Sequence, residues 1–356
     1  MPELPEVESV RRSLQRHIVG KRIKAVVALE QGGGPRDGHF DDIVVGEGVT
    51  PERLVEAHVG RRVAGVGRKG KQMWLDMDGD GPSSLWHFGM AGCIVIEGDS
   101  VPTYRSFRVD EVFPPRYTKV MLEFDDGTRM AYVDTRRLGR IYLRDRPQEE
   151  APVMNLAPDG LEEGGELTED YWLGKLSSTA KAIKTVLLDQ EAIVSGVGNY
   201  VADEVLYWAK LHPEASCSTL TIEHVRALRE ALSSVLTTAV EANADYSRFP
   251  EDWLFHKRWS IRESKASPKA RKPKGGGEEA AEQPVGVFMP SGEKVHFITV
   301  GGRTSAFVKE RQVLPPKAPR RGGRPSKKSR EGAEGPRGPG DAAGAGPPAK
   351  RRRGGG

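Results

Sequence analysis

The chain begins Met1-Pro2-Glu3-Leu4-Pro5-Glu6, a run of residue types suited to covalent chemistry. Removal of Met1 would leave Pro2 as a free N-terminal secondary amine, a nucleophile that attacks an aldehyde-like carbon to give an iminium. An α-amino group titrates near ~8, against ~10.4 for lysine, so a useful fraction is unprotonated at neutral pH. A chain end can approach a bulky sugar closely, and Glu3 and Glu6 flank the amine with carboxylates suited to proton transfer. The same residues also suit a helix start, where proline fits the first turn and acidic side chains suit the positive end of the dipole. Val7, Val10, Leu14 and Ile18 follow at spacings of three, four and four. Those spacings predict a helix with one apolar face beginning near Pro2.

A second constellation is Ser195-Gly196-Val197-Gly198-Asn199-Tyr200, leading into a helical run from Val201. Two glycines permit a tight turn, and Asn199 stands where a helix N-cap belongs. Backbone amides at such a helix start bind phosphate, and Lys181 and Lys184 upstream would add charge to the same face. The pattern also reads as an ordinary connection between helices with structural glycines.

Strands and helices must position these groups. Arg61–Met77, Leu85–Glu97, Lys119–Phe124 and Met130–Leu143 read as strands, with Asp125-Asp126-Gly127 a hairpin signal between the last two. Residues 1–150 thus predict a β-sandwich or barrel with a flanking helix. From Asp159 the period turns helical, near 168–176, 179–188, 199–209 and 222–242, which marks a second domain over 151–256. Residues 257–283 form a linker, and the tract 262–283 is charged, poor in apolar residues and reads as disordered. Within 284–316, Val285–Met289 and Lys294–Ile298 around a Pro290-Ser-Gly-Glu turn predict a β-hairpin, with Arg303 and Phe307 in a last strand.

The net charge of +4 is uneven. Residues 317–356 carry twelve Lys or Arg against three Asp or Glu, a net +9, which leaves −5 for residues 1–316. Any nucleic-acid site on the folded body is therefore a local basic surface. The tail has no Val, Ile, Leu, Met or aromatic residue, and 17 of its 40 residues are Gly or Pro, so it reads as disordered. No apolar run is long enough to cross a membrane, and no cleavable signal is visible. Two isolated cysteines, Cys93 and Cys217, suggest a reduced intracellular protein.

Pro2-Glu3-Leu4-Pro5-Glu6-Val7-Glu8, Gly196-Val197-Gly198-Asn199 and Gly302-Arg303-Thr304 stand in the order and spacing of one family. From residue 1 to about 313 the chain resembles the formamidopyrimidine-DNA glycosylase and endonuclease VIII family. The resemblance implies an α+β fold: an N-terminal β-sandwich with flanking helices, a helix-two-turns-helix domain, and a C-terminal β-hairpin finger, with DNA in the cleft. It implies that Pro2 attacks C1′ of the damaged nucleotide, that Glu3 serves acid–base steps and that Glu6 helps hold the lesion. Lys71 aligns best with the family's catalytic lysine, with Lys69 two residues away on the same strand face.

An enzyme that extrudes a base must fill the hole left in the duplex. His87-Phe-Gly-Met90 matches the family's loop that inserts a methionine. Asp134-Thr-Arg136-Arg137-Leu138 matches the loop that supplies an arginine for the orphaned base and a bulky wedge, although the bacterial enzymes usually carry phenylalanine at the position of Leu138. Asn199 with its adjacent amides, Lys184 and Arg303 would grip DNA phosphates. The bacterial finger is held by four cysteines around zinc, and a structural zinc site needs four such ligands. Neither Cys93 nor Cys217 lies near the hairpin. The finger therefore resembles the zincless one of the plant and fungal branch, with no metal or other cofactor expected.

The tract 262–283 falls where bacterial relatives place a loop over extruded 8-oxoguanine, and ordering such a segment costs entropy. Formamidopyrimidines and hydantoins are therefore expected as better substrates than 8-oxoguanine. The implied activity is a monomeric, bifunctional glycosylase and abasic-site lyase on double-stranded DNA containing oxidised bases or abasic sites. The alternatives are an endonuclease VIII-type pyrimidine glycosylase and a non-catalytic DNA- or chromatin-binding protein on the same fold. Lys350-Arg351-Arg352-Arg353, with Lys327-Lys328 upstream, resembles a nuclear import signal.

Overall fold

The computed structural model describes residues 2–99, 103–105, 107–163, 167–260 and 286–316. The 262–283 tract and the basic tail from 317 lie outside the described residues, as does Val285 at the start of the expected hairpin. Helix α1 spans Leu4–His17 with Glu3 as its N-cap residue. Val7, Val10, Leu14 and Ile18 are all buried, as their spacing requires.

The sandwich is built from β1 (Ile23–Val27), β2 (Val63–Lys69), β3 (Gln72–Met77), β4 (Ser83–His87), β5 (Gly92–Ile96), β6 (Thr118–Phe124), β7 (Arg129–Asp134) and β8 (Arg140–Arg144). They form two antiparallel sheets in the orders β1-β6-β7-β5 and β2-β3-β4-β8. Ile23, Val63, Leu75, Trp86, Phe124 and Tyr132 share one core with the apolar face of α1. A short helix, α2 (Pro51–His58), was not foreseen, although Thr50 caps it through Arg53 N–H and Pro51 opens it.

Three of the long strands expected from the sequence are each two strands. Arg61–Met77 breaks at Gly70-Lys71, Leu85–Glu97 at Phe88–Ala91, and Met130–Leu143 at Thr135–Gly139. Turns this short leave the apolar alternation intact on either side, so the period does not reveal them. All three breaks carry candidate site residues: Lys71, Met90, and Arg136 with Leu138.

The second lobe contains α3 (Glu169–Ser177), α4 (Ile183–Leu188), α5 (Asn199–Trp208) and α6 (Ile222–Glu241). Its core gathers Trp172, Leu187, Val201, Val205, Leu228 and Val235, and it also takes in Leu4 from the start of α1. Helix α1 therefore joins the lobes, its first residue in one core and Val7 onward in the other.

The finger differs from the expected hairpin. Its strands are β9 (Val295–Val300) and β10 (Arg303–Val308), paired from Val295↔Val308 to Val300↔Arg303. The tip is Gly301-Gly302, with φ of 57° and 73°, the backbone that a two-residue hairpin turn demands. Around the Pro290 turn the pairing is short: the antiparallel bridge Phe288↔Lys294, with Met289 N–H donating to Glu293 O at 2.9 Å and Val295 N–H to Val287 O at 2.8 Å. Tyr207, Leu254, Met289, Val295, Ala306 and Val308 form a core beneath the finger.

Candidate active site and DNA-facing loops

The N-terminus is docked by hydrogen bonds to the Gly196–Tyr200 turn. Leu4 N–H donates to Gly196 O at 3.1 Å. Tyr200 N–H and Val201 N–H donate to the two Glu3 carboxyl oxygens at 3.0 and 3.1 Å. Both glycines serve this contact. Gly196 has φ of 97°, and a Cβ there would run into Leu4, while a Cβ at Gly198 would overlap the Glu3 carboxyl group.

This corrects the sequence reading of the turn. Gly198, not Asn199, is the N-cap of α5, and Asn199 is the first helical residue. The Tyr200 and Val201 amides expected to hold phosphate hold Glu3 instead, because a carboxylate at a helix N-terminus satisfies the same orphan donors. Pro2 is buried beside this contact, and Glu3 itself is 2% exposed.

Glu6 lies one turn along α1 and accepts from Glu3 N–H at 2.8 Å. Burial first, and then the Glu3 carboxylate, push its pKa from 4.5 to about 7. A carboxyl group titrating there can give or take a proton at neutral pH.

Lys71 is a turn residue, not a strand residue. Its Nζ donates to Val197 O at 2.8 Å. Burial lowers its pKa below the ordinary lysine value, with the Arg303 charge adding to this and Glu3 and Glu6 opposing it. Lys69 turns to Glu163 at 3.5 Å. The two lysines thus have different destinations, and Lys71 is the one placed in the field of Glu3 and Glu6.

The turn that carries Lys71 is pinned across the lobes by Asp159, which accepts from Gly70 N–H at 2.6 Å and from Arg68 at 2.5 and 3.1 Å. Arg68, itself buried, also reaches Glu8 at 3.0 Å. Burial alone would raise the Glu8 pKa, but hydrogen bonds from Arg11 and the Arg68 charge outweigh it and hold it at about 2.

Met90, Arg136 and Leu138 lie on two touching loops, where Gly89 abuts the Leu138 backbone carbonyl. One Asp134 oxygen accepts from Arg136 N–H and Arg137 N–H, both at 3.0 Å, and the other from Gly139 N–H at 2.7 Å. Arg137 ties the loop to Asp41 at 2.7 Å. Arg136 and Leu138 are thereby left exposed, Leu138 by 43%, and Met90 is half-buried.

On the opposite side, Asn199 Nδ2 donates to Thr304 O at 3.1 Å and Arg303 is exposed beside the finger tip. Lys184 is a correction: it is fully buried, paired with Asp203 and donating to Thr304 O at 3.2 Å. It cannot present its charge to a phosphate; it braces the finger against α5, where Asp203 also accepts from Ala306 N–H at 3.2 Å.

Sequence reasoning assigned no role to His87 or Arg140, which pair across β4 and β8 next to Gln72 and hence beside Lys71. Burial, then the Lys71 and Arg140 charges, lower the His87 pKa to about 4. The signal was a basic residue three positions before Met90, unremarkable in isolation. Cys93 and Cys217 are both buried, and among the described residues no group of His, Cys, Asp and Glu is arranged to hold a metal.

Residues 1–141 match the profile of the formamidopyrimidine-DNA glycosylase N-terminal domain, and residues 156–251 that of the formamidopyrimidine-DNA glycosylase H2TH domain. The formamidopyrimidine-DNA glycosylase of Arabidopsis thaliana is 36% identical over 316 residues, which is 88% of this chain and 71% of the relative. The chain belongs to the formamidopyrimidine-DNA glycosylase family. The Bacillus subtilis enzyme of that name is 30% identical over 251 residues, 70% of this chain and 81% of its own. Among solved structures, MutM in complex with DNA containing carbocyclic 8-oxo-G matches with a TM-score of 0.63 at 24% identity, covering 88% of this chain and 100% of that one. The Lactococcus lactis formamidopyrimidine-DNA glycosylase, non-covalently bound to DNA with an AP site, matches at 0.61 and 24% identity over 86% and 97% of the two chains. The α+β fold with its helix-two-turns-helix domain is thus that of the family. As a member, the chain is a DNA glycosylase of base excision repair, and its partner is DNA.

Proposed function

We propose that this glycosylase removes oxidised bases through an iminium formed at Pro2 and then cleaves the strand. The Pro2 amine attacks C1′, and the N-glycosidic bond breaks with the electron pair leaving on the base, which takes up a proton. Loss of the amine proton and opening of the sugar ring give the iminium. Removal of a C2′ proton then expels the 3′ phosphate, and a second elimination expels the 5′ phosphate. Hydrolysis of the remaining iminium frees the enzyme, leaving a one-nucleotide gap with phosphates at both ends.

The observation that carries this reading is the Glu3 clamp on Tyr200 N–H and Val201 N–H, which holds the residue after Pro2 in one position relative to Glu6 and Lys71. Positioning of that kind is worth several orders of magnitude in rate. Glu6, titrating at about 7, suits proton transfer to and from the opening sugar. Arg136, Leu138 and Met90 suit filling the hole left by the extruded base, and Asn199 and Arg303 suit the flanking phosphates.

Ring-opened formamidopyrimidines and hydantoins are the preferred substrates in this reading, and intact 8-oxoguanine a weaker one, because residues 262–283 are too poor in apolar side chains to form a cap cheaply. Lys350–Arg353 suit nuclear import. Borohydride trapping tests the reading. Wild-type protein should give a covalent adduct with formamidopyrimidine DNA, and Pro2→Gly should lose most of it. Undiminished trapping by that variant would remove Pro2 as nucleophile, and no adduct from the wild type would favour the non-catalytic alternative.

A further inference from the structure

Gln190 lies just past the end of α4 and outside the turn motif that begins at Ser195. Its carboxamide is bonded at three points. Oε1 accepts from Gly196 N–H at 3.0 Å, and Nε2 donates to Leu188 O and to Val197 O, each at 2.9 Å. Two carbonyls face the nitrogen and an N–H faces the oxygen, so a single orientation of the amide satisfies all three. The Gln190 backbone carbonyl accepts from Ala157 N–H at 3.0 Å, which ties the residue to the segment leading from β8 into the second lobe.

Both of its partners on the turn serve the Pro2 site. Gly196 O takes the Leu4 N–H at 3.1 Å and so anchors the N-terminus. Val197 O takes Lys71 Nζ at 2.8 Å. One side chain therefore grips the two neighbouring residues on which the N-terminus and Lys71 are hung. Val197 is fully buried, and its carbonyl has room for two donors. In the glycosylase reading the Lys71 ammonium turns to DNA, which empties one of those places. A buried carbonyl left with no donor would oppose that move, because nothing replaces the lost bond. Gln190 supplies the donor that stays.

We propose that Gln190 is a positioning residue for the chemistry at Pro2: it holds the Gly196–Val197 peptide in register with the N-terminus and keeps Val197 O paired when Lys71 leaves it. Lys71 is thereby parked on a carbonyl that can release it without being left bare. The inference rests on the glycosylase reading above and adds to it a residue that acts only through the turn.

The test uses Gln190→Met in the full chain, which keeps the length of the side chain and removes its hydrogen bonds, alone and combined with Lys71→Met. Single-turnover excision from formamidopyrimidine DNA is measured beside cleavage of the same duplex carrying an abasic site. Gln190→Met should slow both reactions about tenfold, the value of one hydrogen bond. In the Lys71→Met background the same change should slow them about threefold or less, because residues that act through one carbonyl are not additive, and what remains passes through Gly196 and Leu4. Equal fold-losses in the two backgrounds overturn the proposal, since Gln190 would then act without Lys71, and so does a single variant within about twofold of wild type. Where Gln190→Met fails to fold, or Lys71→Met leaves no rate to compare, Gln190→Glu decides. Its carboxyl keeps an acceptor for Gly196 N–H but donates to Val197 O only while protonated, a form that the two facing carbonyls favour. Its rate relative to wild type should therefore fall as pH rises from about 5 to 8, and a level ratio across that range overturns the proposal. A wild-type protein that cleaves neither duplex would refute the glycosylase reading itself, and the role of Gln190 with it.

Discussion

The Glu3 carboxyl fills the space that any side chain at Gly198 would need. The two residues lie at opposite ends of the first two hundred, yet each requires the other: Gly198 because Glu3 sits on the start of α5, and Glu3 because the Tyr200 and Val201 amides there would otherwise be buried unpaired. The turn motif thus serves the N-terminus before it serves DNA.

Gly198→Ala should therefore damage catalysis more than folding. An added methyl in a tight site costs ~1–3 kcal/mol, most of it relieved if the N-terminus swings away. Displacing Pro2 by an ångström is expected to cost about 100-fold in rate. Thermal unfolding and single-turnover excision, measured on the same preparation, check this. A variant that excises at the wild-type rate would show that the Glu3 clamp does not set the position of Pro2.

Stability should fall as pH rises from about 5 to 9. Burial raises Glu204 to about 8 against its ordinary 4.5, its hydrogen bonds from Phe255 N–H, Trp208 Nε1 and Leu254 N–H opposing this only in part. Between those two values the folded protein holds a proton that the unfolded chain has released. Stability from this source is full below 4.5 and lost as pH passes 8, by on the order of a few kcal/mol. Glu6 acts with the same sign up to about 7. Urea melts at pH 5, 7 and 9 should show the decline, and Glu204→Gln should flatten it above pH 7. A Glu204→Gln slope equal to wild type would reassign the effect.

Asp159→Ala should uncouple the lobes. It takes one carboxylate from the buried Arg68, which keeps Glu8 at 3.0 Å and Glu162 at 3.3 Å, and it frees Gly70 N–H, so a loss of about 1–3 kcal/mol is expected. At temperatures where the variant remains folded, abasic-site cleavage should also slow, since the turn that holds Lys71 at Val197 O is no longer pinned. Arg68→Met paired with Asp159→Leu, which removes both charges, should recover much of the stability without recovering the rate. Equal recovery of both would show that the network acts through stability alone.

How far the chain could be read follows from the range of each interaction. The apolar period of α1 is local, and Val7, Val10, Leu14 and Ile18 were placed by it. The strand alternation is also local, but it runs through the breaks at Gly70-Lys71, Phe88–Ala91 and Thr135–Gly139, so the period alone reads the segments that carry Lys71, Met90 and Leu138 as strand, and only the family resemblance marks the last two as loops. The Glu3 contact with α5 spans almost two hundred residues, and no local signal could show that the helix-start amides were already taken. Lys184 and Arg303 looked alike as isolated cations. Only the carboxylate facing Lys184, Asp203, separates them.

That separation makes the last prediction. Arg303 is exposed and carries its charge beside the finger tip, whereas Lys184 is buried in an ion pair beneath it. Arg303→Ala should leave the Tm within a degree or two, weaken duplex binding, and reduce the slope of log affinity against log salt by about one, the signature of a lost phosphate contact. Lys184→Met should do the reverse to folding. It leaves Asp203 with Arg258 at 3.0 Å and Ala306 N–H at 3.2 Å, and a loss of about 1–3 kcal/mol follows from removing one partner of a buried carboxylate. Because Lys184 and Asn199 both donate to Thr304 O, the finger should loosen as well, raising protease sensitivity near residues 295–308. If Lys184→Met instead kept full stability and lost one unit of salt slope, its ammonium would have to reach DNA from a position the Asp203 pair denies it.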